Sequence, residues 1–147
     1  MRLLFAFAAV SAALFAQGAA DQHREIPGFK IAGNLYYVGT ADLAVYLIHT
    51  PQGNILINTD FKQDLPAVKK SIEQLGFAYR DTKILLISHA HGDHDEGTAV
   101  VTKETGAKLM VMAADAPAEE STAAGRPGAH VDRWLHDGDA VDRKSVV

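Results

Sequence analysis

The chain has 147 residues, 48% of them apolar, a formal net charge of −4 and no cysteine. That length suffices for one domain with a modest core, and the balance is that of an ordinary globular protein. No basic patch points to nucleic acid, and without cysteine these residues form no disulfide and offer no thiolate ligand.

Residues 1–20 stand apart from the rest. Arg2 supplies a positive start, and Leu3 to Ala16 is a run of apolar and small residues interrupted only by Ser11. Gly18-Ala19-Ala20 then sets small residues at the −3 and −1 positions of a cleavage site. This pattern predicts a secretory signal peptide cut after Ala20, and hence export to a periplasm or the outside medium. The run is shorter than the ~20 residues a membrane span needs, so no membrane attachment is expected after cleavage.

Residues 21–147 read as one domain that begins with strands. Phe29-Lys30-Ile31 and Leu35-Tyr36-Tyr37-Val38 flank Gly33-Asn34, a hairpin turn. Leu43 to Ile48 and Ile55-Leu56-Ile57 follow as strands, separated by the turn residues Pro51-Gln52-Gly53-Asn54. Four such segments in succession predict an antiparallel meander at one edge of a sheet.

The period then changes. Leu65, Val68, Ile72 and Leu75 are spaced as one face of a helix, with Pro66 in its first turn and Gly76 just past its end. Lys83 to Ile87 is a nearly continuous apolar run, the mark of a strand buried on both faces. A second helix is expected over Gly97 to Thr105, ended by Gly106; then a strand over Lys108 to Met112 and a short helix over Asp115 to Ser121. Alternating strands and helices predict a parallel arrangement with right-handed crossovers. Thr122 to Gly128 reads as loop, and His136-Asp137-Gly138-Asp139 as a turn before another strand.

The chemistry concentrates in Ser88-His89-Ala90-His91-Gly92-Asp93-His94, an H-x-H-x-D-H pattern holding three of the chain's seven histidines. Neutral imidazole and carboxylate are good zinc ligands. Alternate side chains of an extended segment point the same way, so His89 and His91 can address one metal ion. Asp93 and His94 are adjacent, so the backbone must turn there; Gly92 is expected to permit the turn. Their side chains can then address a second ion. Two ions on one side of a hydrolysable bond form a clamp. The pattern follows the carboxyl end of a buried strand, where open α/β sheets place their sites. The remaining histidines, His23, His49, His130 and His136, read as ordinary. The Tyr36-Tyr37 pair reads as packing, and Lys69-Lys70 as a solvated helix face.

This pattern resembles the metallo-β-lactamase superfamily. Gly33 to Thr40, Tyr46-Leu47-Ile48, Pro51 to Ile57, Leu75-Gly76-Phe77, Ile87 to His91 and Asp132 to Asp139 are similar to the exported third subclass of zinc β-lactamases. The resemblance implies an αββα sandwich, of which these residues match the N-terminal half. It implies two zinc ions, with His89 and His91 at the first and Asp93 and His94 at the second. It also implies opening of the amide of a small β-lactam substrate by a metal-bound hydroxide, with Asp93 as the catalytic carboxylate. Asn58 stands where much of the superfamily has an aspartate behind the metal loop. Other hydrolases share the ligand set, so a lactonase or a thioesterase resembling glyoxalase II stays open. So does a fragment that binds metal weakly or does not fold. The superfamily's further histidine ligands would follow Val147, so the chain is expected to be the N-terminal part of a longer protein.

Overall fold

The computed structural model describes residues 22–122 and 127–141. The expected signal peptide and cleavage site lie outside the described residues, as does any strand after residue 141. Part of the loop expected over Thr122 to Gly128 is also outside them.

Among the described residues, seven strands form one sheet in the order β1-β2-β3-β4-β5-β6-β7, so chain order and spatial order coincide. They are β1 (Phe29–Ala32), β2 (Leu35–Tyr37), β3 (Tyr46–Thr50), β4 (Gly53–Ile57), β5 (Thr82–Ile87), β6 (Lys108–Met112) and β7 (Arg133–Leu135). The first four pair antiparallel, the predicted meander. From β4 onward the pairing is parallel. That change follows from the connections. Each parallel pair is joined by a helical crossover: α1 (Leu65–Gln74), then α2 (Gly92–Asp95) with α3 (Thr98–Thr105), then α4 (Ala116–Glu120).

Side chains alternate across the sheet with a period of two. Leu56, Leu85, Ile87, Leu109 and Val111 face the main core, where Leu65, Val68 and Ile72 of α1, Val101 of α3 and Ala116 of α4 cover them. Ile55, Ile84 and Met110 point to the opposite face and form a smaller cluster with Ile48, Leu86, Leu135 and Val141. Of the apolar positions read as one helical face, α1 buries Leu65, Val68 and Ile72; Leu75 lies just past its end and is partly buried. Its end is a Schellman motif: the Gly76 N–H donates to Glu73 O at 2.9 Å and the Phe77 N–H to Ile72 O at 3.1 Å. Gly76 adopts φ 86°, which its missing Cβ makes cheap.

One strand is displaced from its expected place. The sequence reads Leu43 to Ile48 as extended, yet β3 begins at Tyr46. Residues 38–45 instead close a tight loop: Val38 N–H donates to Val45 O and Thr40 N–H to Leu43 O. The Tyr37 hydroxyl reinforces it from within, 2.6 Å from Thr40 O and 3.0 Å from Leu43 O. Side-chain capture of the backbone outweighs the local strand propensity of Leu43-Ala44-Val45.

Candidate metal centre

The H-x-H-x-D-H segment leaves the carboxyl end of β5, as expected. His91 is still extended, at φ −119° and ψ 143°, and the chain then turns into the single helical turn α2. Gly92 starts that turn, but its φ is not positive, and a Cβ there would meet nothing closer than Phe61 Cε1 at 3.6 Å. The turn therefore does not depend on glycine's conformational freedom, a correction to the sequence reading. Gly97, just after α2, is the glycine that matters. A Cβ on it would sit 2.9 Å from Thr59 Cβ, and its N–H donates to Thr59 Oγ1 at 3.1 Å. Its absent side chain lets the loop lie against the exit of β4.

The histidines come together. The His89 ring centroid lies 4.6 Å from that of His91 and 4.1 Å from that of His94. Asp93 Oδ2 is 3.4 Å from His94 Nε2. The Asp93 side chain is 40% exposed and His94 is 23% exposed, so the cluster opens to solvent on one side. In donor type the set suits zinc: neutral imidazole nitrogens and a carboxylate oxygen. Among the described residues, however, no three His, Asp or Glu side chains are arranged to hold an ion. The pairs implied by the resemblance, His89 with His91 and Asp93 with His94, each offer two ligands, fewer than the three or four of a complete zinc site; the His89 ring lies no farther from His94 than from His91.

What holds this loop arrives from other elements. Thr59 N–H donates to the His94 carbonyl at 2.8 Å. Ala90 N–H donates to Asp115 Oδ1 at 3.1 Å, tying the loop to the start of α4. Asn58, 4% exposed, bonds both ends of the segment: its Oδ1 accepts from Ser88 N–H at 2.9 Å and its Nδ2 lies 2.9 Å from His94 Nδ1. Asn58 and Asp60 adopt φ 66° and 67°, a left-handed region that Asn and Asp tolerate better than other side chains. Asp60 is fully buried. Burial pushes its carboxyl up to about 7, against the opposing pull of the Phe61 N–H and with a smaller push from Asp64. The sequence reading starts a helix at Asp115 but gives no sign of its bond to Ala90, which spans 25 residues.

The other histidines do not join the cluster through any ring contact among the described residues. His23 Nδ1 is 2.7 Å from Asp64 Oδ2, and His49 stacks on Phe77 with centroids 4.4 Å apart. His130 is 84% exposed beside Glu120, and His136 is 72% exposed beside Asp139. Tyr36 packs edge-on against Phe77. The two lysines are less free than a solvated face suggests: Lys69 pairs with Glu104 and lies 4.9 Å above the Tyr79 ring, and Lys70 pairs with Glu25.

Comparison with known proteins agrees with this geometry. The metallo-beta-lactamase superfamily profile matches residues 43–146. The native FEZ-1 metallo-beta-lactamase from Legionella gormanii is 49% identical, with a TM-score of 0.77 over 81% of this chain and 50% of that one. The metallo-beta-lactamase GOB-18 from Elizabethkingia meningoseptica is 39% identical, with a TM-score of 0.80 over 83% and 49%. A class B3 di-zinc metallo-beta-lactamase, LRA-12 from an Alaskan soil metagenome, is 42% identical, with a TM-score of 0.80 over 84% and 50%. The chain thus spans about half the length of the solved structures it matches. A mixed sheet with helices over one face, a histidine-rich loop at the end of β5 and these likenesses have one common explanation: the chain belongs to the metallo-beta-lactamase superfamily.

Proposed function

We propose that this is a zinc-dependent hydrolase whose substrate is a β-lactam and whose reaction opens the lactam amide. The observation that carries the reading is the packing of His91 and His94 around His89, with ring centroids 4.6 and 4.1 Å from it, at the carboxyl end of a parallel strand. His89 and His91 would hold one zinc ion, Asp93 and His94 a second. Bound zinc supplies a Lewis acid and makes water nucleophilic at neutral pH. The protein's share of the work is orientation. The bonds from Thr59, Asp115 and Asn58 fix the loop's backbone before any ligand arrives, so the backbone needs little reordering on binding. Asp93, the catalytic carboxylate in this reading, is open enough to accept a hydrogen bond from the attacking water and aim it. The nearness of di-zinc and class B3 relatives supports β-lactam over other substrates. The site faces the periplasm or the medium in this proposal, with residues 1–20 removed and Asp21 as the mature N-terminus.

Hydrolysis of the chromogenic β-lactam nitrocefin, with and without a chelator, tests the reading. Turnover that stops on chelation and returns with zinc is the expected result. Preferential turnover of a lactone or thioester would move the substrate assignment, and chelator-insensitive turnover would remove zinc from it. Sequencing of the exported protein should begin at Asp21; an intact Met1 would refute the location.

A further inference from the structure

We propose that Asn58 is a positioning residue: its amide holds the His94 imidazole with the proton on Nε2, and thereby weakens zinc binding at that nitrogen. The zinc half of this inference rests on the metal assignment just given; the proton's location does not.

The orientation of the Asn58 amide follows from its neighbours. The Ser88 N–H only donates, and it lies 2.9 Å from the amide oxygen. The Ala44 carbonyl only accepts, and it lies 3.4 Å from the amide nitrogen. Reversing the amide would set NH₂ against N–H and oxygen against oxygen in a buried place. The NH₂ group therefore faces His94 Nδ1, at 2.9 Å. An amide NH₂ has no lone pair to offer, so Nδ1 accepts and the ring's proton sits on Nε2. The other side of the ring agrees: Nε2 faces the Asp93 carboxylate, an acceptor, at 3.4 Å.

A nitrogen that carries a proton has no lone pair for a metal. To bind through Nε2, His94 must move its proton to Nδ1, where it meets the Asn58 NH₂, or the amide must turn against Ser88. His89 has no such restraint on its Nδ1. Its neighbour at 3.2 Å is the Ser88 hydroxyl, which donates or accepts equally well. Asn58→Asp reverses the polarity with almost no change of shape. A carboxylate accepts from both the Ser88 N–H and a His94 Nδ1–H, which frees Nε2, and gives up only the Ala44 bond, at 3.4 Å the longest of the three. Aspartate also tolerates the φ of 66° at this position.

The experiment is nitrogen-15 NMR of the histidine rings in the full chain without metal, followed by titration with zinc alone. The unchanged chain should show His94 with its proton on Nε2. It should also show a coupling across the hydrogen bond between Asn58 Nδ2 and His94 Nδ1, a readout that needs no variant. Asn58→Asp should move the proton to Nδ1 and tighten zinc binding at His94 by ~10–100-fold, the usual range for partners that orient a metal-binding histidine. The same proton position in both chains, or no coupling in the unchanged chain, would overturn the proposal. A proton that moves as expected while neither chain binds zinc at His94 would instead overturn the metal assignment.

Discussion

Two turns in this molecule are built from similar residues and differ in nearly everything else. The loop after β5 carries His89, His91, Asp93 and His94; the turn after β7 carries His136, Asp137 and Asp139. In the first, three rings crowd together and bonds from Asn58, Thr59 and Asp115 fasten the backbone. In the second, His136 is 72% exposed, and the turn's own bonds are the short-range pair between His136 and Asp139. Histidine and aspartate at the end of a parallel strand do not by themselves make a site. Buried groups from neighbouring elements must fix the loop so that the imidazoles are held together against their own entropy.

The sharpest way to break the contrast is to remove ligands. In the zinc-loaded protein, His89→Ala or His91→Ala should empty mainly the first site, and Asp93→Ala or His94→Ala mainly the second. His136→Ala should leave the zinc count unchanged. Metal analysis of each variant decides it, and two full equivalents in a His89→Ala/Asp93→Ala double variant would refute the ligand set.

The next effect concerns protons. Asp60 lies at the exit of β4, behind the metal loop, and its carboxyl is raised from 3.8 to about 7 by burial. The native state therefore holds a proton that the unfolded chain releases near pH 4. Stability is greatest below that value and falls as pH rises toward 7, by up to ~1.4 kcal/mol per pH unit. Urea melts at pH 4.5, 5.5 and 6.5 should show the decline, and Asp60→Asn should flatten it. An unchanged slope in that variant would assign the decline to another group.

A smaller loss is expected at the loop's third anchor. Asp115→Ala leaves the Ala90 N–H without its partner and should cost ~1–2 kcal/mol. The matching change in the other turn, Asp139→Ala, should cost no more than ~0.5 kcal/mol, because its bonds lie in exposed surface. Equal losses at the two positions would erase the distinction between a fastened turn and a free one.

How much of this was legible in the sequence depends on the range of the interaction. Helix α1, its glycine stop and strands β5 and β6 are written in local periodicity, and they appear within a residue of where the pattern puts them. The four candidate ligands are equally local, five residues apart at most. The start of β3 was misread because a tyrosine hydroxyl folds residues 38–45 into a loop, which no propensity encodes. Gly92 looked necessary and is not, whereas Gly97 is fixed by Thr59, which is 38 residues away in sequence. Asp115 reaches Ala90 across 25 residues and Asn58 reaches His94 across 36. The resemblance flagged Asn58 as a departure, but the direction of its hydrogen bonds depends on Ser88 and Ala44, and only the folded chain brings those to it.

The left-handed backbone at Asn58 also bears on how this site can change over generations. A φ of 66° admits few side chains without strain, chiefly glycine, asparagine and aspartate. Of these, only asparagine and aspartate reach both Ser88 and His94. The codons for the two differ by one base. Most mutations at this position would therefore be removed by their effect on folding. One, a single nucleotide away, would leave the shape intact and reverse the polarity presented to His94. If Asn58 restrains His94 as proposed, a lineage carrying this sequence stands one substitution from releasing that nitrogen for a metal.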